Sequence, residues 1–212
     1  MLWVFDINET MLDLTPLDAH FDSPEDRERW FALVIHGALV SAATGRYRDF
    51  SELGSAGYRQ LHGAGSDLGA TMRALPAHPD VAGGLIALRA AGHRLVALGN
   101  SPKAVVDAQL AHARLAPSFD AVYSAEQAGA LKPSAAPYRL VLEREGVAPS
   151  EAVMVAAHGW DIAGAQAAGL RSVFVARPGR SLLPLEPEPD AVVADFTALA
   201  GCLGTPLSRS DG

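Results

Sequence analysis

The chain has one cysteine, Cys202, in 212 residues. A lone thiol closes no internal disulfide, so a disulfide-stapled scaffold is excluded and a reducing compartment, the cytoplasm, is expected. Cys202 sits in a Gly-flanked stretch and reads as an incidental thiol. Positive charge is also scarce: 17 Lys and Arg against 24 Asp and Glu give a formal net charge of −7. That balance carries no electrostatic footprint for nucleic acid. Long apolar runs are missing as well. None approaches the ~18 residues of a membrane span, and no basic segment followed by a long apolar one marks a signal peptide. No internal repeat or low-complexity segment is present. What remains is an ordinary globular composition, 49% hydrophobic and 19% charged. Its length suits one α/β core with a small inserted domain.

Five short apolar runs read as strands: Leu2–Phe5, Arg94–Leu98, Ala121–Tyr123, Ala152–Ala156 and Ser172–Val175. Bounded by turn or helix signals, they fit buried parallel strands, and Asp190–Val193 adds a further one at an edge. Helical patterns alternate with them over Val81–Ala91, Pro102–His112 and Ala135–Arg144, the first ended by Gly92 and the last by Gly146. Such alternation implies a doubly wound parallel sheet. From about Pro16 to Leu75 the alternation stops. Ser23 as N-cap and Pro24 at the first helical position start a helix, along which apolar residues recur at Trp30, Phe31, Leu33, Val34, Ala38 and Leu39. Asp49–Gly63 and Ser66–Leu75 are further helical candidates. The expected organisation is a core over 1–14 and 79–203, an all-helical insert over 15–78 and a flexible tail over 204–212. Glu186-Pro187-Glu188-Pro189 reads as a stiff polar connector to the last strand.

In a doubly wound sheet, ligands bind beyond the carboxyl ends of the strands. The residues that follow the apolar runs are therefore the informative ones: Asp6; Gly99-Asn100-Ser101; Lys132; and His158 with Asp161. Four polar groups at four strand ends can converge on one point. A carboxylate placed there can form a covalent ester with its substrate; the plainer role is an N-cap or turn aspartate. Lys132, between apolar residues and a helix start, can hold Asp6 ionised, although most lysines are solvated surface groups.

Val4-Phe5-Asp6-Ile7-Asn8-Glu9-Thr10-Met11-Leu12-Asp13 resembles the first motif of the haloacid dehalogenase (HAD) superfamily. Leu95–Ser101 resembles the second, Lys132-Pro133 the third, and Val153–Asp161 with Ala163-Gly164 and Ala168-Gly169 the fourth. They occur in the family's order and span roughly residues 1–200. The resemblance implies a Rossmann-like α/β core with a parallel sheet, a C1-type α-helical cap over 15–78, and Asp6 as nucleophile.

Most of the superfamily resemble one another as magnesium-dependent phosphotransferases, with an acid two residues after the nucleophile and a Gly-Asp pair in the fourth motif. Here those places hold Asn8 and Ala156-Ala157, and only Asp161 remains. The alanine side chain offers a hard cation no oxygen, and asparagine cannot protonate a leaving oxygen. The chain is more similar to the 2-haloacid dehalogenases, which use the same aspartate without metal or other cofactor, since halide leaves without a proton. That likeness implies a small halogenated carboxylic acid as substrate, halide as product, and a homodimer, with no nucleic-acid or membrane partner. It matches Asn100 to the asparagine that cradles halide. It also matches Tyr138 to a family tyrosine and Trp160-Asp161 to a Trp-Asp pair, which implies Tyr138 and Trp160 as substrate contacts, and Gly45–Phe50 to a cap stretch. Tyr138 on a helix surface and Trp160 as plain core are the structural alternatives.

His158 and Glu9 depart from the commoner pattern and resemble a subset that activates water with a histidine–glutamate pair, as a neutral-range base oriented by a carboxylate can do. Ser101 and the backbone N–H groups of Ile7 and Asn8 are candidate donors to the substrate carboxylate, because the usual second-motif hydroxyl is replaced by Gly99. The usual cap arginine falls at Ser41, with Arg29 or Arg46 as substitutes; His36 reads as a core or interface histidine. His20, His62, His78, His93 and His112 show no metal-ligand spacing. The alternatives are a small-molecule phosphatase with an eroded metal site and a non-catalytic binding protein.

Overall fold

The computed structural model describes residues 1–63, 65, 68–183 and 187–203. Six strands, β1 (Leu2–Phe5), β2 (Arg94–Gly99), β3 (Ala121–Ser124), β4 (Ala152–Ala156), β5 (Arg171–Val175) and β6 (Ala191–Val193), form one sheet in the order β3-β2-β1-β4-β5-β6. Every neighbouring pair is parallel. The order reverses beside β1, whose two neighbours are β2 and β4, so a crevice opens at its carboxyl end. β1 and β4 are buried along their whole length, which is why both read as unbroken apolar runs. Successive side chains still go to opposite faces: Trp3 and Phe5 join one core cluster, Leu2 and Val4 the other.

The strand boundaries differ from the sequence reading by single residues. β2 and β3 run on to Gly99 and Ser124, which pair with each other, and β5 begins at Arg171 opposite Val153. The edge strand β6 forms, and Asp190 accepts the Ser172 amide N–H at 2.8 Å. One face of the sheet carries α4 (Val81–Ala90) and α5 (Lys103–His112), the other α6 (Ala135–Glu145) and α7 (Gly159–Ala167). Gly84 of α4 has no room for a side chain: a Cβ would lie 2.4 Å from the Phe196 carbonyl oxygen.

Between β1 and β2 the described elements are helical: a 3₁₀ turn (Thr15–His20), α1 (Pro24–Thr44), α2 (Phe50–His62) and α3 (Leu68–Arg73). Ser23 caps α1, its hydroxyl accepting the Asp26 N–H at 3.2 Å, and Asp49 caps α2 through the N–H groups of Ser51 and Glu52. Trp30 locks α1 to α2, its indole N–H donating to the Gly54 carbonyl at 2.8 Å. Helix α3 is shorter than the expected Ser66–Leu75; Ser66 lies outside the described residues, as do Glu186 and the tail 204–212. His36 is exposed rather than packed in the core, because the buried stripe of α1 runs through Trp30, Phe31, Val34 and Ala38.

Candidate active site

Asp6 follows β1 directly, and its N–H continues the sheet ladder to the Val155 carbonyl at 3.0 Å. The chain then turns sharply. The N–H groups of Met11 and Leu12 both donate to the Ile7 carbonyl, and Glu9 adopts φ +63°. A left-handed glutamate is a strained conformation of the sort that persists where its surroundings hold it. Here Arg177 holds the turn, donating twice to the Thr10 carbonyl at 3.0 and 2.9 Å. Thr10 donates its hydroxyl to Asp6 Oδ2 at 2.7 Å and accepts the Ala157 N–H at 2.9 Å.

Seven charged groups of alternating sign run through the site. Lys132 Nζ lies 2.7 Å from Asp161 and 2.8 Å from Asp6 Oδ1. On the other side of Asp6, Oδ2 is 3.3 Å from His158 Nδ1. His158 Nε2 is 2.7 Å from Glu9, and Arg180 bridges Glu9 and Glu28 at 2.5 and 2.7 Å. Lys132 and Asp161 are fully buried, Asp6, Glu9 and His158 nearly so. Burial alone would raise the Asp6 pKa, but the Lys132 charge and the His158 contact overcome it and hold the carboxyl well below the usual range. Burial would likewise discharge Lys132, yet Asp161 and Asp6 raise its pKa. For His158 burial also favours the neutral ring, but hydrogen bonds to Asp6 and Glu9 push its pKa up to about 9. Asp161 is displaced upward by burial, Lys132 opposing and the Asp6 charge reinforcing.

Asp6, Ile7, Asn8, Asn100, Ser101, His158 and Trp160 all line one small pocket of about 10 Å³, room for about one water. Trp160 stacks on the His158 ring, centroids 5.2 Å apart. Glu9, Lys132, Asp161 and Tyr138 are not on the wall. They stand behind it, where Tyr138 is fully buried and donates its hydroxyl to Asp161 at 2.5 Å. Tyr138 therefore braces Asp161, and this placement departs from the sequence reading of a substrate contact. Asn100 engages the Lys132 backbone on both sides, accepting its N–H at 2.8 Å and donating to its carbonyl at 3.3 Å. Lys132 Nζ lies within hydrogen-bond distance of both carboxylates, where a cation would sit, and Ala157 contributes no side-chain oxygen, so the residues do not fit a hard cation there.

Gly99 has a steric reason: a Cβ there would meet Ile7 Cδ1 at 2.9 Å and Val106 Cγ2 at 3.0 Å. The position assigned to the cap arginine, Ser41, is buried and donates to the Arg46 carbonyl at 2.6 Å. Arg29 and Arg46 are exposed and neither lines the pocket; its outer wall is Phe31, Ile35 and Phe50. The sequence reading also missed Thr10, Arg180 and Gln109. Gln109 is fully buried and donates to Asn8 Oδ1 at 3.0 Å and to the Met72 carbonyl at 2.8 Å, while Asn8 donates to Ser101 Oγ at 3.3 Å. Away from the pocket, Asp22, Asp26 and His62 bring three ligand-type atoms within 4.8 Å of one another. His62 has no such spacing in the sequence, and the group is formed by the approach of α1 and α2.

A family model described as haloacid dehalogenase-like hydrolase matches residues 2–169. The (S)-2-haloacid dehalogenase of Xanthobacter autotrophicus is 31% identical over 166 residues, which are 74% of this chain but 65% of that relative. The (S)-2-haloacid dehalogenase 1 of Pseudomonas sp. (strain CBS-3) is 29% identical over 189 residues, 82% of this chain and 83% of the relative. Among solved structures, the L-2-haloacid dehalogenase from Xanthobacter autotrophicus with chloropropionic acid covalently bound has a TM-score of 0.85. At 24% identity, with 94% of this chain and 96% of that one covered, it has the same fold. No helix among the described residues is long and apolar enough to cross a membrane.

Proposed function

This chain belongs to the haloacid dehalogenase-like hydrolases, and we propose that it converts small 2-haloalkanoic acids to 2-hydroxy acids through an ester on Asp6, without metal. One observation carries the reading. Asp6 lies between two cations, Lys132 at 2.8 Å and His158 at 3.3 Å, with no acid at Asn8 and no side-chain oxygen at Ala157.

An ionised Asp6 oxygen attacks C2 and the carbon–halogen bond breaks, halide leaving with the bonding pair. Halide needs no proton, so asparagine at position 8 costs nothing. The Ser101 hydroxyl and the N–H groups of Ile7 and Asn8 hold the substrate carboxylate, and Asn100 and Trp160 border the departing halide. Esterification removes the negative charge beside His158. The ring, protonated while Asp6 is a carboxylate, then gives up its proton, which is the proton the overall hydrolysis releases. Neutral His158, oriented by Glu9, takes a proton from water as the water adds to the Asp6 carboxyl carbon. Collapse breaks the acyl C–O bond, and His158 returns the proton to the departing hydroxy acid. Asp6 is left as a carboxylic acid holding an oxygen from water, and its proton passes to His158, restoring the carboxylate and the imidazolium.

Residues 15–78 act in this reading as a cap whose Phe31, Ile35 and Phe50 close the pocket against bulk water. The family likeness also suggests a homodimer, which sedimentation of the purified protein tests, and a cytoplasmic location, which cell fractionation tests. The deciding experiment is halide release from chloro-, bromo- and fluoroacetate and 2-halopropanoates, with and without EDTA, in the wild type and Asp6→Asn. Release that persists in EDTA and vanishes in Asp6→Asn is expected. No release from any acid, or magnesium-dependent turnover of p-nitrophenyl phosphate instead, overturns the reading.

A further inference from the structure

The pocket at Asp6 holds little more than a reacting centre, but it is not isolated. A second cavity of about 220 Å³ shares three of its wall residues, Phe31, Phe50 and Ser101. Its inner wall is apolar: Trp30, Val34, Leu68, Met72 and Val105. The polar groups at its outer end, Ser51, Ser55 and Arg73, are exposed. The far wall is anchored, because the Met72 carbonyl accepts from Gln109, which also holds Asn8. An apolar cavity of about 150 Å³ suffices to bind a benzene ring, so this one exceeds what a methyl or ethyl group needs.

We propose that this cavity receives the carbon chain carried on C2, making the preferred substrates 2-haloalkanoic acids with an apolar chain of several carbons. This rests on the dehalogenase reading above. C2 carries four substituents: halide, carboxylate, hydrogen and the carbon chain. Asp6 approaches from one side with halide opposite, and the carboxylate takes the donors at Ser101, Ile7 and Asn8. Of the two remaining substituents the hydrogen needs no room, and the carbon chain faces the apolar Phe31 and Phe50, which also line the cavity. Each methylene buried there strengthens transition-state binding by up to about fourfold.

The test measures kcat/KM for halide release from 2-bromopropanoate, 2-bromobutanoate, 2-bromohexanoate and 2-bromooctanoate. The wild type is compared with Ser55→Trp and Met72→Trp, which fill the cavity from its exposed mouth and from its wall. The wild-type value is expected to climb by up to about fourfold per methylene until the chain reaches the mouth. In folded variants the ratio of hexanoate to propanoate rates is expected to fall at least tenfold. A flat or falling wild-type series overturns the proposal. So does an equal slowing of short and long substrates in the variants, the result expected of an entry channel. Titration calorimetry with unreactive propanoate, hexanoate and octanoate separates the two readings. A chain-length gain in affinity that Ser55→Trp removes supports the cavity even if no haloacid is turned over, and no gain refutes it.

Discussion

Replacing Asp6 by asparagine mimics the neutral ester intermediate in shape and charge, and its sharpest consequence is expected at His158. In the free protein His158 Nδ1 faces Asp6 and Nε2 faces Glu9, which hold the ring protonated up to about pH 9 despite its burial. Near pH 7 about one molecule in a hundred then carries the neutral base. Hydrogen bonds to charged groups are worth about 1.5–3 kcal/mol, so losing the Asp6 charge should lower the His158 pKa by about one to two units. Glu9 remains and limits the fall. Lys132, still paired with Asp161, adds a repulsion that helps it. Imidazole NMR titration of the wild type and Asp6→Asn reads both values without turnover. In the wild type, rapid-quench decay of the ester should follow the lower value rather than the free-protein one. An unchanged His158 pKa in Asp6→Asn would refute the coupling on which the base role depends.

The same shift appears in stability. The folded pKa of His158 lies above its unfolded value of about 6.5, so protonation stabilises the fold fully below about pH 6.5, and this contribution is lost as pH rises through about 9. A difference of roughly 2.5 units corresponds to roughly 3 kcal/mol. Denaturant midpoints should fall between pH 6 and 9 in the wild type, and less steeply in Asp6→Asn.

Three further outcomes follow from the packing. Lys132→Met leaves Asp6 and Asp161 buried without their shared cation and should cost about 3–5 kcal/mol in urea unfolding. The depressed pKa of Asp6 stabilises the wild type above the ordinary carboxylate range and is lost on acidification, so the variant should lose less than the wild type as pH falls from 5 to 3. Gln109→Leu strips Asn8 Oδ1 of its donor and should raise KM for haloacids about tenfold by a loss on the order of 1–1.5 kcal/mol, with kcat little changed; a fall in kcat alone would contradict it. Gly84→Ala forces a Cβ against the Phe196 carbonyl and should lower stability by about 1–3 kcal/mol, visible as a reduced Tm with halide release retained. An unchanged Tm would show that α4 can shift.

The strand ends were readable because a buried parallel strand is a short apolar run, and the first polar residue after it must sit at the carboxyl edge. Asp6, Asn100 and His158 follow from that rule without any knowledge of distance. Lys132 is one of two lysines in the chain; its neighbours Leu131 and Pro133, rather than any periodicity, marked it as buried. Arg180 was not readable, since a Pro-Gly-Arg segment has the composition of a solvated turn and nothing local records that it reaches Glu9. Gln109 did leave a signal. It lies in the i, i+3, i+4 stripe of α5 with Val105, Val106 and Leu110, where a polar residue must find buried partners. The cap wall failed for another reason. Counting back to Ser41 assumed a fixed offset along a helix, whereas the pocket is met by Phe31 and Ile35, one turn apart on its buried side. With aromatic and aliphatic groups there instead of an arginine, the titratable groups on the described wall are Asp6 and His158. In the proposed mechanism the imidazolium is therefore the cation on that wall that an entering carboxylate would meet, and esterification would discharge it. On that reading substrate affinity and ester hydrolysis would draw on opposite protonation states of one residue, with the Asp6 charge deciding which of them is populated.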